Sequence, residues 1–239
     1  MTSEAAGRSG YDLGKRLRVM GAILAAGIAA VLAVVLWLGV AVPAQQAADG
    51  YSDADRVYAQ VMAEHNAQAI ELASLAPARS DNPVVLELVH EVGSASAEQA
   101  DALAVWLAER RIPVPASATA ALALVEAGGL DGTRDDGAAG SGPRAPAGLQ
   151  HVHGKGTDHG MLTPEQIDAM SQLEEAEFDA ALLGALIEHH YGGLEPADEE
   201  IAGGRDADAI ALAEAERERI SGEANRLQEM LAVVGPTAQ

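Results

Sequence analysis

The chain has 239 residues, only 3% of them aromatic, with one phenylalanine and no cysteine. A core must therefore be built from Leu, Val, Ile, Ala and Met, which favours packed helices, because strands are enriched in aromatic and β-branched residues. The lack of thiols excludes disulfides, thiolate metal sites, a cysteine nucleophile and a lipid-modified N-terminal cysteine, and leaves the compartment open. The net charge of −21 is uneven: residues 1–42 carry +2, from Arg8, Lys15, Arg16 and Arg18 against Glu4 and Asp12, leaving −23 for the rest. Such a surface repels nucleic acid and anionic lipid and attracts cations or a basic partner; its simplest use is solubility.

Val19 to Val42 form a run of 24 residues without charge. About 20 apolar residues suffice for a helix to cross a bilayer. Lys15, Arg16 and Arg18 precede the run, and no Lys or Arg occurs from Pro43 to Asp55. The positive-inside rule then makes residues 1–18 a cytoplasmic tail, 19–42 a single-pass transmembrane helix, and 43–239 extracytoplasmic at the cell membrane. The alternative is a secreted protein released after signal cleavage near Val42-Pro43-Ala44. The run is longer than the about 7–15 apolar residues of a signal peptide.

Beyond the membrane segment, a helix is expected from Asp53 to Leu75, with Tyr58, Val61, Met62, His65, Ala69 and Leu72 on one stripe. A turn follows over Pro77 to Asn82. The second helix opens at Asn82-Pro83, carries Val85, Leu88, Val92, Gln99, Leu103 and Trp106, and stops at Arg110-Arg111. A short apolar helix capped by Ser117 runs to Ala127. Residues 51–127 thus make a first helix hairpin. Residues 128–160 hold ten glycines and no apolar periodicity, and read as a flexible linker. Residues 161–233 make a second hairpin. Thr163-Pro164-Glu165-Gln166 starts a helix with a capping box; long helices follow at about Ala176–Ala202 and Asp206–Val233.

The halves repeat at an offset of 124: Met62-Ala-Glu-His65-Asn66 matches Leu186-Ile-Glu-His189-His190, Ile70-Glu71 matches Leu194-Glu195, Leu88 matches Leu212, and Leu103 matches Leu227. Two such hairpins bury their stripes most simply against each other, in a four-helix bundle of approximate twofold symmetry.

His65, His189 and His190 fall on inward stripes. Three convergent imidazoles suit copper or zinc; alternatively, each is a partly buried histidine bonded to a neighbour. Glu87-Leu-Val-His90 matches a di-iron Glu-x-x-His once, but the equivalent positions hold Ala211 and Glu214, so that site is incomplete. His151, His153 and His159 in the linker offer weak Cu(II) or Zn(II) uptake or a solvated loop. No nucleophile–base pair, phosphate loop or dinucleotide fingerprint is present, so no enzyme is expected.

Gly160-Met-Leu-Thr-Pro-Glu-Gln-Ile167, Ala176-Glu-Phe-Asp179 and Ile187-Glu-His-His-Tyr-Gly192 resemble the ferritin-like domain-of-unknown-function family 305, as do Met62–Ala69 and Ser80–Pro83 more weakly. The likeness covers about residues 51–110 and 158–232. It implies a four-helix bundle, secreted or membrane-anchored, with His-His pairs and methionines set as if for copper. Several positions depart from that pattern. Leu72, Pro196, Leu103 and Leu227 stand where the family places methionine, and Asn66 where it places a second histidine. The glutamate facing the site is kept as Glu223 and is Gln99 in the other half. Without thioethers the soft ligand set that selects Cu(I) is lost. Pro196 should also kink its helix. The expectation is an anchored, all-α, non-enzymatic interaction or structural module that meets a protein partner or a second copy, or alternatively a copper- or zinc-binding protein using His65, His189, His190 and Glu223.

Overall fold

The computed structural model describes residues 50–131 and 158–235, together with Ile28, Ala30, Val31, Val34 and Val35. Residues Met1–Asp49 and Gly50–Gln239 form two separate compact units. In the first, the five described residues are helical and exposed. The remainder of the expected tail and membrane span lies outside the described residues. Among the described residues, no helix is long and apolar enough to cross a membrane.

The second unit is all-α, with no strand among its described residues. Helix α1 (Asp53–Ser74) opens on a capping box in which Ser52 accepts from the Asp55 amide while the Asp55 carboxylate accepts from the Ser52 amide. The turn expected over 77–82 contains a short helical turn, α2 (Ala76–Arg79). Helix α3 (Pro83–Glu109) starts on Asn82, whose side chain accepts from the Val84 and Val85 amides. Helix α4 (Ala116–Glu126) begins without a side-chain cap. Ser117 is not its cap: Pro115, with φ −56°, sets the first turn, and Ser117 sits inside the helix. Helix α5 (Pro164–Met170) carries the Thr163/Gln166 capping box. Helix α6 (Glu175–Gly203) continues through Pro196, which removes one ladder bond but does not end the helix. Helix α7 (Ala207–Val234) starts on Asp206, which accepts from the Asp208 and Ala209 amides.

Helices α1 and α3 pack as one hairpin and α6 and α7 as the other; the hairpins meet along α1–α6 and α3–α7. The apolar stripes supply the core, with Met62, Ile70, Leu72, Leu103, Leu107, Phe178, Leu182, Leu183, Leu186 and Leu227 all fully enclosed. The start of the expected linker is not loose. Leu130 is buried and packs against Gly93, where an added Cβ would lie 3.0 Å from the leucine methyl. At its far end, Asp158–Gly160 form a 3₁₀ turn that leans on the middle of α6. Residues 132–157, including His151 and His153, lie outside the described residues.

Candidate functional site

Helices α1 and α6 cross at repeat-equivalent positions, and the crossing puts His65 against His189. Their rings stack with centroids 3.7 Å apart and planes 15° apart. His65 Nε2 donates to the His189 carbonyl oxygen at 3.0 Å. The His189 ring looks back at the His65 backbone without closing a hydrogen bond of normal geometry. Gly193 makes the stack possible, because a Cβ there would lie 2.8 Å from His65 Cε1. Burial drives the His65 ring down to about 3, reinforced by the neighbouring His190. Burial, then His65 and His190, hold His189 well below its ordinary value. The stack is thus two neutral imidazoles at any physiological pH.

One turn deeper lies a charged cluster. Arg219 on α7 is almost enclosed, with 14% of its side chain exposed beside a fully buried Glu216. Its Nε and Nη2 reach the two Glu216 oxygens at 3.2 and 2.7 Å. Nη1 reaches Glu223 Oε2 at 2.6 Å and Ser96 Oγ at 3.4 Å. Nη2 also reaches Asn66 Oδ1 at 2.9 Å. All five guanidinium donors are used. Burial alone would loosen the proton on Arg219, but Glu216 and Glu223 raise its affinity above the ordinary value. Asn66 closes the ring, donating to Glu216 Oε1 and to the Met62 carbonyl, each at 3.0 Å. An amide can accept from Arg219 while donating twice; a neutral imidazole, with one donor and one acceptor, cannot. His190 Nε2 joins the far side, 2.8 Å from Glu223 Oε2.

His65, His189, His190 and Glu223 are therefore brought together, but not as a metal site. A metal lies in the plane of each imidazole that binds it, about 2.0–2.1 Å from the nitrogen. Two nearly parallel rings 3.7 Å apart cannot share one ion. Among the described residues, no group of three or more His, Cys, Asp or Glu side chains is placed to hold a metal. Neither the copper arrangement implied by the resemblance nor copper or zinc held by the three imidazoles fits this geometry. At the positions where it asks for methionine, Leu72, Leu103 and Leu227 are sealed apolar core. His90 is on a solvated face, 3.7 Å from Asp131. His159 sits in the 3₁₀ turn at φ 58°, with Nδ1 3.5 Å from Glu195. Gln68 holds the chain that follows, trading hydrogen bonds with the backbone of Leu162 at 2.7 and 2.9 Å.

A second buried acidic group closes the end of the bundle. Asp55 and Glu200 are both enclosed and share a hydrogen bond. Asp55 Oδ1 accepts from the Arg205 and Asp206 amides at 2.8 and 3.0 Å. Burial, the bond to Asp55 and the Asp55 charge push Glu200 up to about 8, so at neutral pH it keeps its proton and donates. Burial opposes ionisation of Asp55, but the bonds from Glu200, Ser52 and the backbone outweigh it and hold Asp55 below the usual carboxylate range. Next to this pair, Asp206 binds Arg110 at 2.7 Å and Trp106 Nε1 at 3.1 Å, and the Arg110 guanidinium lies 4.2 Å above the Trp106 ring. Arg110 therefore ties α3 to the α6–α7 turn as well as ending its own helix.

No motif or spacing singles out Arg219, Glu216, Asp55 or Glu200, and Asn66 stands out only as a departure from the family's second histidine. One clue was present: Glu216, Ile220, Glu223 and Leu227 share the inward stripe of α7, and charges on an apolar stripe demand a partner.

These features define a helical-bundle protein whose polar centre is held together by its own arginine. The chain belongs to the DUF305 family, described as "Domain of unknown function", whose model matches residues 55–231. Two solved structures share the fold. One, from Streptomyces coelicolor and described as a candidate secreted DUF305 protein, is 20% identical, with a TM-score of 0.57 over 78% of this chain and 96% of its own. The other, a DUF305 fragment from Deinococcus radiodurans, is 18% identical, with a TM-score of 0.56 over 76% of this chain and 97% of its own. No curated protein matches the chain.

Proposed function

We propose that this protein is a membrane-anchored, extracytoplasmic, non-enzymatic interaction module that docks a basic partner on a groove between the start of α3 and the end of α7. The groove carries the reading. It encloses about 530 Å³ and is lined by Val84, Leu88, Met230 and Val233, with Glu87, Glu91 and Glu229 on its rim. Val84 and Val233 are 53% and 81% exposed. One of the three rim glutamates, Glu91, is answered by Arg226; the others face solvent on a chain that carries −23 beyond residue 42. A second copy would be repelled by the same charge, whereas an amphipathic helix with an apolar stripe flanked by basic residues complements both floor and rim.

The anchor rests on the uncharged 19–42 run, in which Ile28, Val31, Val34 and Val35 are exposed. The extracytoplasmic side rests on the charge flanks and on the description of the Streptomyces relative. The metal reading using His65, His189, His190 and Glu223 stands second, since it requires the stacked rings to part.

The test is a titration of the full chain in detergent with a fluorescent Leu/Lys amphipathic helix and its Leu/Gln analogue. Micromolar binding of the basic peptide only, weakened by salt and lost in Val233→Asp and in Glu87→Lys, is expected. Equal binding by wild type and both variants would reduce the acidic surface to a solubility device. A mature chain beginning at Gln45 would replace the anchor with a cleaved signal.

A further inference from the structure

We infer that the Arg219 guanidinium is the resident cation of the bundle: it permanently fills the place between Asn66, Glu216, Glu223 and Ser96 that a dissolved divalent cation would otherwise occupy. The inference is independent of the groove and of the anchor.

The geometry supports it in three ways. First, the five guanidinium donors are matched by oxygens from three helices, Asn66 on α1, Ser96 on α3, and Glu216 and Glu223 on α7. That is how a coordinating ion draws a bundle together, done by hydrogen bonds. Second, the acceptors form a set of carboxylate and amide oxygens with an imidazole beside them, His190, which suits a hard or borderline divalent ion once the guanidinium is gone. Third, the cluster is asymmetric in the repeat. The positions equivalent to Glu216, Arg219 and Glu223 are Val92, Ala95 and Gln99. The first hairpin carries neither the acids nor the base, so the cation and its counter-charges occur as one set. Arginine suits this role because it stays protonated when buried, and its planar fork grips a carboxylate through two bonds.

In this chain, therefore, the cation cannot leave, and bundle integrity does not depend on metal supply. Removing Arg219 should turn a closed cluster into an open cation site.

The experiment uses the full chain in detergent, with Trp37→Phe in every sample so that urea unfolding is read by the fluorescence of Trp106. Wild type should unfold at the same midpoint with chelator, with Zn(II) and with millimolar methylguanidinium. Arg219→Ala should lower the folding constant by roughly a hundred- to several-thousand-fold. Methylguanidinium or Zn(II) should restore at least about tenfold of that by binding only the folded form. Arg219→Lys, which keeps the charge with fewer donors, should fold with an intermediate midpoint and ignore Zn(II); it keeps the test decisive where the alanine variant does not fold. A wild-type midpoint that falls on chelation, an alanine variant as stable as wild type, an alanine variant that neither cation restores, or a lysine variant as weak as alanine would each overturn the inference.

Discussion

The bundle buries two groups of carboxylates and prevents their repulsion by different means. In the centre, Glu216 and Glu223 flank a guanidinium that stays charged. At the end, Asp55 and Glu200 have no buried arginine between them and share a proton instead. A covalently attached cation is indifferent to pH across the physiological range, while a shared proton is lost when pH rises. One fold therefore holds a fixed lock in the middle and a titratable lock at the α1/α6–α7 end, and each can be broken separately.

The largest effect should come from the centre. Arg219→Ala leaves two acids buried without a counter-charge and should cost about 3–5 kcal/mol in urea unfolding. The triple variant Glu216→Val/Arg219→Ala/Glu223→Gln, which copies the first hairpin, should recover most of that loss, because replacing a whole buried ion cluster by apolar residues is often neutral or stabilising. A triple variant no better than the single one would mean that the cluster acts by shape and not by charge.

Next in size is steric crowding at the imidazole stack. Gly193→Ala places a methyl 2.8 Å from His65 Cε1 and should cost about 1–3 kcal/mol, as overpacking does. The near-ultraviolet spectrum should change little, since the aromatic pair Tyr51–Trp106 lies at the Arg110 end.

The end lock should appear as a pH dependence. Glu200 keeps its proton in the folded chain up to about 8, against an ordinary value of 4.5. Between those values the unfolded chain has lost a proton that the folded chain retains, so stability falls as pH rises from about 4.5 to about 8. His65 acts in the opposite sense. The unfolded imidazole takes up its proton near 6.5 while the folded one waits until about 3, so stability also falls as pH drops through that interval. His189, also held well below its ordinary value, adds to the acid slope, so two imidazoles outweigh one carboxyl between 4.5 and 6.5 and the stability maximum lies near pH 6.5. Glu200→Gln keeps a donor to Asp55 without a titration, and should flatten the alkaline slope while leaving the acid one. Urea midpoints at pH 4, 5.5, 7 and 9 measure both, and an unchanged alkaline slope would remove Glu200 as its source.

An effect comparable to that of Gly193→Ala should come from Asn66→His, which restores the residue expected from the family pattern. It removes the amide that accepts from Arg219 and donates to Glu216, and should cost about 1–3 kcal/mol. An Asn66→His chain as stable as wild type would show that Arg219 does not need Asn66.

Much of the fold was legible because it depends on local and periodic features. The apolar stripes, Asn82-Pro83, the Thr163/Gln166 box and Asp206 place helices through hydrogen bonds that span three or four residues. The repeat at an offset of 124 by itself pairs His65 with His189. Ser117 and the start of the linker were misplaced for physical reasons. Pro115 begins its helix by fixing φ, and Leu130 is held by a distant glycine, Gly93, that no local pattern reveals.

By itself, the sequence determined an all-α chain with a charge-free run near its N-terminus, two repeated hairpins, and histidines that turn inward. Only the tertiary structure decided what those histidines meet. Whether two imidazoles converge on a metal or stack face to face depends on how closely α1 and α6 cross, which Gly193 sets. Whether inward glutamates want a dissolved ion depends on a guanidinium arriving from a neighbouring turn of α7 and an amide arriving from α1. Spacing along one helix records which residues share a face. It does not record the distances across the bundle, and those distances are what make this polar centre closed.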